Sequence, residues 1–397
     1  AEIVKLVVHR GGRIVIPDMT YEVLERPGIR GESERGETQP HVLGRRTPGA
    51  TLDLDMEVQP VATAASGASV ARTPAEAGDF LRSILGIESD GTTAIVGGTA
   101  AAPTVTTAQG ERLDVGNLVL FGTDVAQVRS IVDGGVGADT INVSPALPQA
   151  PAAALAVTGG VNFTPIIDGF RSHNIYTYID DRRVICKGWI PNLKIEGIVG
   201  GAIPMLKFSG PFDSWIADGL QFPATLASSQ GGNRFPTAAQ VTPILSEGGR
   251  CVLTDTTIGG AASSIDHMVE FSIDIGYQFG PVPNRHGFSG WDGIWIRGPR
   301  ATTGTLKVFA PGDLRYIRHL VVGTELEILL QCGASVAGTF AAIIPRAQIT
   351  KVDTAEEGGM VVHTLAWAAR RTGLNGTDDT SGSTVTARIA DITLGWM

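Results

Sequence analysis

Residues 51–58 read Thr51-Leu52-Asp53-Leu54-Asp55-Met56-Glu57-Val58. Apolar and polar side chains alternate at every step. Successive side chains of an extended chain point to opposite faces. Leu52, Leu54, Met56 and Val58 therefore share one face, and Thr51, Asp53, Asp55 and Glu57 the other. The same rhythm returns in Val269-Glu270-Phe271-Ser272-Ile273-Asp274-Ile275-Gly276-Tyr277, where Phe271, Ile273, Ile275 and Tyr277 oppose Glu270, Ser272 and Asp274. Weaker versions run through Ile175–Tyr178, Leu193–Val199, Met205–Phe208, Gly293–Ile296, Thr305–Phe309, Leu326–Leu330 and Val361–Ala366. Strands with one dry and one wet face favour antiparallel sheet, so the expected fold class is mainly β.

Composition agrees with many short strands and turns. The chain has 397 residues, 51 of them Gly and 22 Pro, with 6% aromatic and 18% charged residues. Gly follows no collagen period and marks turns instead. Length points to two or three domains. At 43% hydrophobic, the chain can bury real cores, which excludes a disordered polymer. No apolar run is long enough for a transmembrane helix, so no membrane partner is expected. Ala1-Glu2-Ile3-Val4-Lys5 lacks the basic start and apolar stretch of a secretion signal, so no leader is expected. A net charge of −9 leaves no basic footprint for gripping nucleic acid. Cys186, Cys251 and Cys332 are too few and too far apart for a disulfide framework or a zinc site, and read as small buried apolar residues.

Two helices punctuate the strands. Thr73 as N-cap, Pro74 at the first helical position and Glu76 closing a capping box predict one that runs through Phe80–Leu85 and stops at Gly86. A second is expected over Asp313–Val322, with Leu314, Ile317, Leu320 and Val321 on one stripe and Gly323 after it. The two resemble each other: Ala77-Gly78-Asp79-Phe80-Leu81-Arg82 aligns with Pro311-Gly312-Asp313-Leu314 and Arg315 at an offset of 234. Further on, Ile190-Pro191-Asn192-Leu193-Lys194-Ile195 aligns with Ile344-Pro345-Arg346-Ala347-Gln348-Ile349 at an offset of 154. Each is followed by a Gly-Gly turn (Gly200-Gly201, Gly358-Gly359) and a strand. The repeated order suggests an internal duplication.

The difference between the offsets places about 80 extra residues in the first half, within Ile87 to Pro165. That window is rich in Ala, Gly, Thr and Pro, and its only aromatics are Phe121 and Phe163. Leu113–Leu120, Val125–Ile131 and Thr140–Val143 read as three strands of a small all-β module inserted on an outer surface loop. The domain expectation is therefore a first domain of residues 1–86 and 166–225, an insert of 87–165, and a second domain of 226–397.

Chemistry-bearing patterns are sparse. The histidines His9, His41, His173, His267, His286, His319 and His363 fall at no metal spacing, and there is no phosphate-binding loop. Gly287-Phe288-Ser289-Gly290 misses the serine-hydrolase elbow because Trp291 stands where its last glycine would be. No catalytic residue, metal site or cofactor is expected, and the chain does not read as an enzyme. Asp180-Asp181 between Tyr178 and Arg182 reads as a hairpin turn. Asp53, Asp55 and Glu57 lie about 7 Å apart along their strand, a charged wall rather than a catalytic pair. A wall of acid repels a DNA polyanion and lets it pass without counterion-release binding. Glu25–Gly49, with Glu32, Glu34, Arg35, Glu37, Arg45 and Arg46, reads as a long charged loop. Loops of that length are commonly functional, and an arm ordering on a neighbouring subunit is one use.

The stretch Tyr176–Phe212 carries a family resemblance. It has the acidic turn Asp180-Asp181, then Cys186-Lys187-Gly188-Trp189, Leu193-Lys194-Ile195-Glu196, the Gly200-Gly201 turn and Pro204-Met205-Leu206-Lys207-Phe208-Ser209-Gly210. This order resembles the tail tube proteins of tailed bacteriophages, although Cys-Lys-Gly stands where a Gly-Cys pair is more usual. Ser264–Ile275 and the strands onward to Arg370 resemble the same architecture again. Gly116-Asn117-Leu118-Val119 and Val143-Ser144-Pro145-Ala146-Leu147 resemble loop domains inserted in such proteins. The resemblance implies duplicated tube-type antiparallel β-sandwich or barrel halves, each with one short helix, plus the small inserted module. It implies a virion tail protein that polymerises as stacked rings and conducts double-stranded DNA through its lumen without sequence preference. Three copies of a two-domain chain would form a pseudo-hexameric homo-oligomeric ring, with other tail proteins, including the tape measure, as partners. Asp53, Asp55, Glu57, Glu270 and Asp274 would line the lumen, and Glu32, Glu34, Arg35, Glu37, Arg45 and Arg46 would bridge rings. Alternative readings are another virion ring protein (tail terminator or baseplate hub), or a carbohydrate-binding surface β protein using Trp291 and Trp295.

Overall fold

A computed structural model describes residues 51–60, 77–89, 92–105, 113–132, 138–165, 172–179, 182–198, 203–212, 214–218, 244–246, 249–255, 263–264, 268–283, 291–296, 300–309, 315–335, 338–370, 372–374 and 388–397, together with short strands at Ile14–Val15, Tyr21–Leu24 and Val42–Arg46. The protein is mainly β, with curled antiparallel sheets that form half-barrels and two short helices.

One sheet of fourteen strands organises the molecule. Its path runs Ile14–Val15, Thr51–Glu57, Met205–Pro211, Asn192–Ile198, Met268–Gly276, Ala301–Phe309, Met360–Ala369, Phe340–Glu357, Glu325–Cys332, Arg250–Asp255 and Ser263–Ser264. Thr393–Trp396 branches from Phe340–Glu357, pairs in turn with Val161–Pro165, and that strand pairs with Leu85–Ser89. Every pairing is antiparallel. The alternation read from the sequence sets the faces. Along Thr51–Glu57, Leu52, Leu54 and Met56 are buried, while Thr51, Asp53, Asp55 and Glu57 are exposed or half-buried.

The dry faces close on an aromatic core. Trp189, Trp367, Trp396, Phe163, Phe208, Phe271 and Phe340 are all fully buried in it. Trp367 needs its cross-strand neighbour to be Gly304, because a Cβ there would lie 2.3 Å from the indole. Helix α1, Gly78–Ile84, plugs one side of the core with Phe80, Leu81 and Ile84. Phe80 meets Trp189 edge-on at 5.5 Å, and the Trp189 indole N–H donates to the Leu52 carbonyl at 3.1 Å.

The expectation for the first helix needs correction. Thr73, Pro74 and Glu76 lie outside the described residues. The helix starts at Gly78 after Ala77, which supplies no side-chain cap. Gly86 is no stop: the chain turns extended at Leu85 and enters the strand Leu85–Ser89. The Tyr277 hydroxyl does the capping by donating to the Ile84 carbonyl at 2.9 Å, which satisfies one of the terminal carbonyls a helix leaves orphaned. Helix α2, Arg315–Val322, ends at Gly323 in the left-handed conformation, as expected. Ile317 and Val321 on the apolar stripe are not on the side of the helix that meets the core. Tyr316 faces the core, whereas Ile317 is 38% and Val321 78% exposed. Tyr316 wins because its ring packs edge-on near His363 on the strand Met360–Ala369.

Residues 92–159 form a closed six-stranded barrel. Its strands run Asp139–Ser144, Pro103–Val105, Thr92–Gly98, Ala156–Gly159, Leu118–Phe121 and Asp124–Val132, and the last returns to the first. Three strands were expected here and six are present. Residues 113–117 form a turn rather than the start of a strand. The extra strands are short and Gly- or Thr-rich, which weakens their periodicity. Val119, Phe121, Ala126, Val128, Ile141 and Val157 fill the barrel interior.

Smaller sheets complete the chain. His173–Ile179, Arg182–Trp189 and Ser214–Asp218 form one, with Ile179 opposite Arg182 across the Asp180-Asp181 connection. Phe279–Pro283 pairs with Trp291–Ile296, and Thr372–Leu374 with Arg388–Ala390. Tyr21–Leu24 pairs with Val42–Arg46. The expected loop Glu25–Gly49 is therefore partly strand, because Val42 and Leu43 find partners in Leu24 and Val23.

Candidate functional surface

The long sheet has one broad wet face, and most of the chain's patterned charge stands on it. Register assembles it strand by strand. Asp53 lies opposite Ser209 and Asp55 opposite Lys207. Lys207 lies opposite Lys194, and Lys194 opposite Asp274. Glu270 lies opposite Lys307. The five acids Asp53, Asp55, Glu57, Glu270 and Asp274 thus share one face across strands far apart in sequence. The wall is not purely acidic, since Lys194, Lys207 and Lys307 are interleaved with it.

Each of those lysines is tied to a carboxylate. Glu196 receives Lys194 at 2.5 Å and also Lys207, while Lys307 reaches Glu357 at 2.7 Å. Partial burial alone would raise the Glu196 carboxyl. Hydrogen bonds and charge from Lys194 and Lys207 outweigh that and hold it below the usual glutamate range. Lys207 is raised in turn, first by its hydrogen bond to Glu196, with Asp55 adding to the effect. Asp274 is half-buried. Desolvation lifts its carboxyl above the ordinary value, and Lys194 pulls part of that back. Asp53 accepts from the Ser209 hydroxyl at 2.5 Å, and Ser272 and Thr305 pair their hydroxyls at 2.8 Å. The resulting surface presents carboxylates together with ammonium groups that are already paired.

Of the six residues expected in an inter-ring arm, Glu32, Glu34, Arg35 and Glu37 lie outside the described residues. Arg45 and Arg46 fall on the strand Val42–Arg46, with Arg46 opposite Tyr21. Trp291 and Trp295 lie on the strand Trp291–Ile296, opposite Pro283 and Gly280. The three cysteines are buried free thiols; burial pushes Cys251 and Cys332 up to about 12 and Cys186 to about 11. Among the described residues, no three His, Cys, Asp or Glu side chains gather as a metal site, and no helix is long and apolar enough to cross a membrane.

Sequence reading missed the seam between barrel and sheet. Leu118, Leu120 and Val125 turn outward from the barrel and pack on Val252, Leu329, Ala341, Ile343 and Met397. Polar side chains interlock around this patch. Glu327, 2% exposed, pairs with Arg129 and accepts from the Ser144 hydroxyl at 2.7 Å. Gln331 accepts from the Val125 N–H at 3.0 Å and donates to the Thr123 carbonyl at 2.7 Å. Asn162 accepts from the Leu118 N–H at 2.9 Å and donates to the Leu118 carbonyl at 3.2 Å. Burial lowers Arg129 to about 10. One signal was present in the sequence: Glu327 and Gln331 interrupt the apolar run Leu326–Cys332, where a strand buried on both faces needs polar partners from elsewhere.

Comparison with protein-family models and with curated proteins finds no match to this chain.

Proposed function

We propose that the chain is the tube subunit of a bacteriophage tail, a virion protein that assembles as stacked rings whose polar lumen passes double-stranded DNA. The observation that carries this reading is the wet face of the long sheet. It is broad, and among the described residues the lysines interleaved with its five acids are engaged with Glu196 and Glu357, as Lys351 is with Asp353. Around those five acids phosphates meet few unpaired cations, so there is little counterion release to drive sticking there. Asp53, Asp55, Glu57, Glu270 and Asp274 are its lumen-facing acids in this reading.

The repeated connectivity supports two tube-type halves. Thr51–Glu57 leads through α1 to Leu85–Ser89 and its partner Val161–Pro165, and Met205–Pro211 then returns onto Thr51–Glu57. Ala301–Phe309 leads through α2 to Glu325–Cys332 and its partner Phe340–Glu357, and Met360–Ala369 returns onto Ala301–Phe309. With halves of residues 1–86 plus 166–225 and 226–397, three copies build a pseudo-hexameric ring, and the insert 87–165 sits on its outside. The partners are further copies, other tail proteins including the tape measure, and DNA in transit.

The test is electron microscopy of the purified protein, first in negative stain and then by reconstruction. Rings or tubes with three copies per ring and a lumen lined by the five acids are expected. Six copies per ring would overturn the duplication reading. A basic channel would overturn the lumen assignment, and absence of rings under every assembly condition would overturn the function.

A further inference from the structure

The strands Phe340–Glu357 and Met360–Ala369 form a hairpin that outgrows its sheet. The neighbouring strand Ala301–Phe309 ends where Phe309 meets Val362. Beyond it, among the described residues, the two strands pair only with each other around the Gly358-Gly359 turn, whose φ values are +59° and +80°. Glu356 through Val361 are exposed on this ribbon, including Met360 at 54% and Val361 at 40%. A two-stranded ribbon with no covering layer is marginally stable in water. Its tip is acidic: Asp353, Glu356, Glu357 and the nearby Glu270 stand against Lys351 and Lys307.

The opposite end of the same two strands carries the complementary features. Among the described residues, Arg346 and Arg370, both exposed, share the Glu325 carboxylate at 2.8 and 3.2 Å, an excess of positive charge. Arg370 also donates to Gln348 at 2.6 Å. The C-terminus of α2 lies beside Gln348, since a Cβ on Gly323 would sit 3.2 Å from its amide nitrogen. It presents Val321 and Val322, 78% and 68% exposed. Each end therefore pairs an apolar spot with a charge of one sign, and the signs are opposite. At about 3.3 Å per residue, the strand from 346 to 357 spans roughly 36 Å. Tip and base of one copy cannot meet each other.

Building on the tube reading, we infer that the occupant of the hairpin tip is the basic end of a second copy of this chain. Met360 and Val361 pack on Val321 and Val322, and Glu356 and Glu357 face Arg346 and Arg370. Because tip and base are different surfaces at opposite ends, the contact is heterologous and does not close, so it propagates as an open stack. This contact is a route by which one ring seats on the next.

Charge-swap complementation tests it. E356K/E357K makes the tip basic. R346E/R370E with E325K makes the base acidic while keeping opposite charges side by side within the local cluster. Each variant alone should assemble at least about tenfold less readily than wild type in light scattering and sedimentation at low salt, because attraction becomes repulsion. Mixed in equal amounts, the two should restore stacks, since each then meets an opposite charge at both of its ends. If E356K/E357K polymerises like wild type, or if the mixture fails to restore assembly, the hairpin contact is overturned and the tube reading stands. If wild type itself forms no rings or tubes, both fall.

Discussion

Removing the Glu327 carboxylate should uncouple the inserted barrel from the sheet. Glu327 is almost fully buried, pairs with Arg129 of the barrel and accepts from Ser144. Glu327→Ala leaves a guanidinium already lowered to about 10 by burial without its counter-charge. Breaking one partner of a buried pair costs on the order of 3–5 kcal/mol, and the orphaned Ser144 hydroxyl adds about 1 kcal/mol. The apolar patch around Leu118, Leu120 and Val125 remains, so docking should weaken rather than vanish. We expect about 4–6 kcal/mol lost at the seam. Residues 92–159 contain no tryptophan, so tryptophan fluorescence in a urea titration reports the sheet alone, while amide hydrogen exchange reports the barrel strands. Barrel amides should exchange faster in Glu327→Ala, and the two transitions should separate. Replacing the trio together, as Glu327→Leu with Arg129→Met and Ser144→Ala, should recover all but about 1–2 kcal/mol, because apolar substitutes avoid the desolvation cost. A loss below about 1 kcal/mol with unchanged barrel exchange would refute the reasoning, as would a triple variant no better than Glu327→Ala.

Gly304→Ala should destabilise the sheet by roughly 1–3 kcal/mol or more in thermal unfolding, because the new methyl group would meet both the Ser272 carbonyl and the Trp367 ring; a neutral result would contradict the packing of Trp367. The depressed Glu196 carboxyl contributes stability that is present above its unfolded pKa near 4.5 and lost as pH falls through its lower folded value. Glu196→Gln should flatten that acid limb of stability against pH by at most about 1 kcal/mol, since the pair is solvent-exposed; an unchanged limb would show that the Lys194 and Lys207 contacts contribute nothing. The buried thiols Cys251 and Cys332, pushed up to about 12, should resist a thiol reagent at pH 8 and react only as the protein unfolds. Rapid labelling of the native protein would show that their strands open locally.

Legibility differed sharply between features. The strands at Thr51–Glu57 and Met268–Gly276 could be read directly, because a period of two is a local property of an extended backbone. The buried cysteines followed from the residue type and its isolation. For α2, helical spacing shows which residues share a stripe, not which face meets the core. Tyr316 took the buried position through its contact with His363, a residue on another strand. Gly86 does not end the first helix: the chain is already extended at Leu85, and a distant hydroxyl, that of Tyr277, caps the Ile84 carbonyl. The acids of the wet face could be assigned to a face from sequence, but their lysine partners could not. Lys207 and Asp55 become neighbours only when Met205–Pro211 pairs with Thr51–Glu57.

By itself, the sequence determined a β-rich chain, the inward and outward sides of its main strands, and a Gly- and Thr-rich segment of distinct character within 87–165. These depend on alternation and composition, which act over a few residues. Only the tertiary structure decided which strands are neighbours, that residues 92–159 close into a barrel, and that Arg129 meets Glu327 across 198 positions of chain. The physical reason is that a buried charge or carbonyl must find a partner wherever the fold brings one, and sheet closure draws those partners from anywhere along the chain.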